Sequence, residues 1–161
     1  MDFTLSDQQQ AFVDMAADFA AEELAPFALE WDQTKHFPIN TLKKAGGLGL
    51  GAICVADDVG GSGLGRLDTA LIIEALAIGC PTVAAYISIH NMCATMIDRY
   101  GTPEQREAHL PALATMDALA SYCLTEPGCG SDAAALKTRA VRDGDDYVLT
   151  GQKQFISGAG A

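Results

Sequence analysis

The chemistry-bearing stretch of this 161-residue chain is Tyr122-Cys123-Leu124-Thr125-Glu126-Pro127-Gly128-Cys129-Gly130-Ser131, followed by Asp132. Successive backbone N–H groups around glycines can converge on a ligand oxygen, and a residue without Cβ lets a flat ligand approach the main chain. Thr125 and Ser131 add hydroxyls that both donate and accept. This donor set suits a ring edged with alternating carbonyls and nitrogens. A purely structural turn uses the same residues, and the loop alone leaves both readings open.

A second pair of readings concerns the glycine spacing. Gly128-x-Gly130-x-x-Ala133 matches the relaxed dinucleotide fingerprint, which requires a helix over 132–142 and then a parallel strand over 147–150. Glu126-Pro127 stands where that fingerprint wants an immediate tight turn. Thr150-Gly151 stands where it wants an acidic residue for a ribose. The rival is antiparallel: 136–141 as a strand, Asp143-Gly144-Asp145-Asp146 as the turn, and 147–150 pairing back.

Other chemistries find little support. The five cysteines, Cys54, Cys80, Cys93, Cys123 and Cys129, are odd in number and form no Cys-x-x-Cys. They read as reduced, small apolar fillers. His36, His90 and His109 lack metal-ligand spacing, so no metal is expected. Gly60-Gly61-Ser62-Gly63 lacks the Lys-Ser/Thr ending of a phosphate loop and reads as a connection. The net charge of −11 comes with no basic face for nucleic acid. No run approaches the ~18 apolar residues of a membrane span. The acidic start, Met1-Asp2-Phe3, lacks the basic and apolar regions of a signal peptide, so a cytoplasmic protein is expected.

The elements that must position the loop are helices before it and strands after it. With 49% hydrophobic residues, a sizeable core is available. Ser6 starts a helix to about Leu24, with Phe12, Met15, Ala16 and Phe19 as its apolar stripe. A short helix from Pro26 to about Asp32 follows, and Asn40 is placed to cap a third that stops at glycines 46–51. Asp68 is placed to cap a fourth over 69–79, whose Leu71, Ile72, Ala75, Leu76 and Ile78 predict burial on most sides. A fifth spans about 82–100. Thr102-Pro103-Glu104-Gln105 carries a capping box for a sixth, to about Met116. Segments 120–125, 147–150 and 154–157 are strand-like. The fold class is α+β: an all-α domain over 1–118, then the start of an antiparallel β-domain over 119–161.

Residues 122–135 closely resemble the signature of the acyl-CoA dehydrogenases. Leu149-Thr150-Gly151-Gln152-Lys153-Gln154-Phe155-Ile156-Ser157-Gly158 looks like that family's next block, and Asp58–Leu64 and Tyr100–Arg106 also fit it. Glu74–Cys80, Ala85–Ala94 and Phe155–Gly160 are similar to the branch that acts on isobutyryl-CoA in valine breakdown. The resemblance implies an oxidoreductase and flavoprotein with bound FAD, an acyl-CoA substrate, a homotetramer, and an electron-transferring flavoprotein as acceptor. It implies α-proton removal with β-hydride transfer to flavin N5, giving a 2-enoyl-CoA. Carried over by position, Tyr122, Cys123, Leu124, Thr125, Glu126, Pro127, Gly128, Cys129, Gly130 and Ser131 wrap the flavin. Thr125 is the hydroxyl partner of its pyrimidine side, and Ser131 also reaches the acyl-CoA. Phe155, Ile156 and Ser157 form the second flavin block, with Phe155 where much of the family has Trp.

The chain departs from the family in one respect. The resemblance implies a middle β-domain completed by further strands and then a C-terminal helical bundle that carries the catalytic glutamate. No residue here matches that bundle or its base, so this chain holds no catalytic residue and is expected to be an inactive fragment on its own. Glu126 belongs to the signature loop, with a structural role, and is no substitute. Two further functions remain alongside the flavoenzyme: a non-catalytic helical module for oligomerisation or partner binding, and the nicotinamide-binding reading of the glycine pair.

Overall fold

The computed structural model describes residues 4–160; Met1–Phe3, on which the compartment expectation partly rests, and Ala161 lie outside them. Ser6 caps the first helix through a full capping box: its hydroxyl accepts the Gln9 N–H, and the Gln9 side chain accepts the Ser6 N–H. α1 spans Asp7–Phe19 and continues into a π-turn, Ala20–Leu24. There follow α2 (Ala28–Thr34), α3 (Ile39–Gly47), α4 (Arg66–Gly79), α5 (Pro81–Tyr100) and α6 (Pro103–Ala114). Thr102 and Gln105 form the capping box expected of α6.

α4 packs between α1 and α5, and α6 lies against α5. The main core joins Ala16, Leu24, Leu42, Leu50, Ile53, Ile72, Leu76, Ile87 and Met116, all essentially inaccessible. A smaller cluster under α6 gathers Val55, Ala94, Leu110 and Leu113. The loop between α3 and α4 is held by Asn91 of α5. Its Oδ1 accepts the Ile53 N–H at 2.6 Å, and its Nδ2 donates to the Leu50 and Ile87 carbonyls at 2.8 and 2.9 Å. Arg106 ties α6 to α5 and to the same loop: Nε donates to Asp98 at 2.9 Å and the guanidinium grips Asp58 at 2.8 and 3.1 Å.

The β-part is one antiparallel hairpin, β1 (Arg139–Asp143) and β2 (Asp146–Thr150), in register Val141 opposite Val148 and Arg142 opposite Tyr147. Gly144, at φ +64°, and Asp145 make the two-residue turn, a backbone setting in which glycine carries no Cβ penalty. The antiparallel reading is therefore the observed one. The helix over 132–142 demanded by the dinucleotide fingerprint is not formed; only a 3-10 turn at Ala133–Ala135 occurs. That overturns the nicotinamide reading.

Several local expectations are corrected. Asn40 is inside α3, whose cap position is Pro38, so the helix starts one residue before Asn40 and without a side-chain cap. α2 begins at Ala28, and Pro26 stays in the preceding turn. Gly65, not Asp68, caps α4; Asp68 sits one turn in, accepts the Gly65 N–H at 3.0 Å and takes a hydrogen bond from Gln9 of α1. α4 is not buried on most sides: Leu67 and Ile78 are 62% and 84% exposed, because α1 and α5 cover only one face. Segments 120–125 and 154–157 are not strands. A strand needs a ladder, and between them there is a single backbone bond, Gln154 N–H to the Thr125 carbonyl at 2.8 Å.

Candidate functional site

The chain leaves α6 with Met116 in the left-handed region, φ +56°, and turns back across α5. Two α5 side chains catch it at Ala120. His90 Nδ1 accepts the Ala120 N–H at 3.1 Å, and the Tyr86 hydroxyl donates to the Ala120 carbonyl at 3.2 Å. The other ring nitrogen of His90, Nε2, lies 2.9 Å from the Leu113 carbonyl. Since Nδ1 accepts, the proton belongs on Nε2 and the ring is neutral. Burial lowers the His90 pKa below 6.5 and outweighs the opposing pull of the Leu113 carbonyl. Burial also pushes the Tyr86 hydroxyl up to about 12, with Cys93 adding to the rise.

From there the signature loop and the second block lie side by side. Ser121 Oγ donates to the Ser157 carbonyl at 2.7 Å. Gly158, at φ +81°, passes over the Tyr86 ring so closely that a Cβ would sit 2.7 Å from a ring carbon and 3.1 Å from Ser121 Oγ. Pro127-Gly128 forms a tight turn closed by reciprocal backbone bonds between Glu126 and Cys129 at 3.0 and 3.1 Å. Glu126 and Cys129 are buried, Leu124 and Thr125 half-buried, and Tyr122, Cys123, Pro127, Gly128, Gly130 and Ser131 exposed. Ile156 and Ser157 are half-buried. Phe155 is 84% exposed on a left-handed backbone, φ +58°, a setting that non-glycine residues rarely adopt.

Sequence reasoning grouped Glu126 with the loop's flavin contacts and passed over Lys153. The Glu126 carboxylate accepts from Thr138 Oγ1 and N–H, from the Lys137 N–H and from Lys153 Nζ, and these donors hold its pKa down at about 2. All four of these donors come from the protein itself. The signal that could have found Lys153 is a lone cation two residues before the exposed aromatic of the second block.

Beside the second block lies a cleft of about 470 Å³, walled by Trp31, Phe37 and Leu42, by Val83 and Tyr86 of α5, and by Ser157–Gly160. Phe37 meets Tyr86 edge-to-face at 4.8 Å. Among the described residues, no three His, Cys, Asp or Glu side chains converge as a metal site, the cysteines are free thiols, and no helix is long and apolar enough to cross a membrane.

A six-helix block whose last turn feeds a glycine loop and an antiparallel hairpin is found within the acyl-CoA dehydrogenase fold. The chain belongs to this family: the acyl-CoA dehydrogenase N-terminal domain matches residues 6–117 and the middle domain residues 121–161. Among its relatives, the mitochondrial isobutyryl-CoA dehydrogenases of Bos taurus and Dictyostelium discoideum are 57% and 56% identical over 97% of this chain. The chain spans 38% of the length of each. A solved chain from "Electron transferring flavoprotein of Acidaminococcus fermentans" superposes with TM-score 0.92 at 38% identity, covering all of this chain and 43% of that one. "PigA with FAD and proline" superposes with TM-score 0.88 at 34% identity, covering 97% and 42%.

Proposed function

We propose that this chain is the flavin-cradling part of an FAD-dependent acyl-CoA dehydrogenase acting on a short branched acyl-CoA, isobutyryl-CoA, in valine breakdown. The observation that carries this reading is the Gln154–Thr125 backbone bond, which sets the signature loop beside the second block. The residues fit the cofactor by their donor chemistry. The hydroxyls of Thr125, Ser131 and Ser157 form no hydrogen bond among the described residues, and the exposed Gly128 and Gly130 have open space where a Cβ would project. Flavin, when bound, supplies the acceptor for the substrate's β-hydride.

The chain's own residues bind and orient. Thr125 and the amides of Gly128, Gly130 and Ser131 offer fixed donors to a polar ring edge, where negative charge is best stabilised by dipoles already in place. Phe155, held outward, gives a flat apolar face, and Ser131 serves cofactor and acyl-CoA together. In this proposal the binding and orienting groups lie in these residues, and the proton-abstracting base belongs to a C-terminal helical bundle. Residues 1–118 form the helical domain and 119–161 the first part of the middle β-domain; a C-terminal helical bundle completes the site.

A homotetramer and an electron-transferring flavoprotein as acceptor complete the proposal; one superposing structure carries that protein's name. The free thiols fit a reducing compartment, the cytoplasm in our reading, although two relatives are named as mitochondrial. The test is turnover by the full-length protein with isobutyryl-CoA against butyryl-CoA, with the flavin absorption band as the measure of loading. Preference for isobutyryl-CoA is expected; a strong preference for butyryl-CoA overturns the substrate, and a colourless folded protein overturns the cradle.

A further inference from the structure

We propose that Glu126 and Lys153 are positioning residues that clamp the two blocks of the cradle together before any cofactor arrives. The inference rests on the flavin reading above. The clamp gathers three separate stretches of chain. Glu126 Oε1 accepts from the Thr138 N–H at 2.9 Å, the Thr138 hydroxyl at 2.5 Å and Lys153 Nζ at 2.9 Å, and Oε2 accepts from the Lys137 N–H at 2.7 Å. Lys153 Nζ makes a second bond, to the Leu124 carbonyl at 3.0 Å. The loop, the entry to β1 and the approach to Phe155 thus meet at one carboxylate.

Geometry and burial argue that the pair matters. The Glu126 side chain is 6% exposed and that of Lys153 24%. Three of the four donors converge on Oε1 and one on Oε2, so the protein itself supplies the partners of this carboxylate. Between the two blocks, the described residues share only one backbone bond, so the side-chain clamp carries much of the registration. Lys153 does this through the carbonyl of Leu124, next to Thr125, and through its own neighbour Gln154, whose N–H reaches Thr125. Losing Lys153 leaves a buried carboxylate without its cation, which costs more than losing one partner of an exposed pair. Charge-assisted bonds of this kind also fix direction as well as distance.

The test uses the full-length protein with two readouts. Amide hydrogen exchange of the cofactor-free protein reads the clamp, and FAD titration with the visible circular dichroism of the bound flavin reads its consequence. Lys153→Met should speed exchange at Lys137, Thr138 and Gln154, weaken FAD binding tenfold or more and alter the flavin dichroism. Lys153→Arg, which keeps the charge and both donors, should restore most of each. Faster exchange with unchanged FAD affinity and dichroism overturns the positioning role, as does no change in either. A wild-type protein that binds no FAD overturns the cradle reading itself and is recognised before any variant is compared. Should Lys153→Met fail to fold, Thr138→Val removes one of the four contacts. It should shift both readouts at least twofold, and a variant indistinguishable from wild type overturns the proposal.

Discussion

His90 accepts the Ala120 amide on Nδ1 at 3.1 Å, and through that bond the helical block holds the first residues of the cradle segment. The same ring reaches the Leu113 carbonyl at the end of α6. One buried, neutral imidazole therefore joins the middle of α5, the exit of α6 and the start of the loop. Protonation would turn the acceptor into a donor facing another donor.

The pH dependence follows from the direction of the His90 shift. Its folded pKa is held below 6.5 by burial, so under acid the unfolded chain binds a proton that the folded chain refuses. Its contribution is fully present above 6.5 and declines as pH falls from 6.5 through the lowered folded value. The thermal midpoint should drop as pH falls below 6.5. His90→Gln, which can keep the donor to Leu113 but cannot titrate, should flatten that dependence.

Glu126 titrates in a lower window. Its folded carboxyl ionises at about 2 against an ordinary 4.5, chiefly through the Thr138 hydroxyl and then the Lys137 amide and Lys153. The stabilisation is complete above about 4.5 and is lost as pH falls toward 2. The Lys137 and Thr138 amide resonances should shift in that range in wild type and not in Glu126→Gln. Unshifted wild-type resonances would exclude the contacts.

Asn91→Ala should destabilise the helical block by about 2–4 kcal/mol, because the Ile53 N–H and the Leu50 carbonyl lose their buried partner. Urea unfolding measures it. A loss below about 0.5 kcal/mol would mean that these groups find water or another partner.

Gly158→Ala meets two obstacles, a left-handed backbone and the Tyr86 ring at 2.7 Å. A cost of about 1–3 kcal/mol is expected, with faster exchange in 156–160. Tyr86→Phe, which removes only the hydroxyl bond to Ala120, should cost less. A Gly158→Ala protein that melts with wild type would contradict the close approach over Tyr86.

Helices were the most legible part of the fold. Ser6 with Gln9 and Thr102 with Gln105 carry their capping chemistry within four residues, so those starts can be read locally. Gly144 and Asp145 between two alternating stretches made the hairpin readable for the same reason. Legibility failed where local signals compete. Asp68 has cap chemistry, yet Gly65 takes the cap and Asp68 accepts its amide from inside the helix. Ile78 belongs to an apolar run, yet it faces outward, since composition does not say which helix face finds a neighbour.

By itself the sequence determined the succession of helices, the α+β class and the family motifs, because each rests on residues close together in the chain, and the tertiary structure chose the antiparallel hairpin over the parallel alternative. Only the tertiary structure decided what Glu126, Lys153 and His90 do. Their partners lie 27 to 30 residues away for the Lys153–Glu126 and His90–Ala120 contacts. It also decided that 120–125 and 154–157 meet through one backbone bond rather than a ladder. The physical reason is common to all of these: a carboxylate, an imidazole or a strand edge acquires its role from the donors brought against it, and chain folding, not local spacing, brings them.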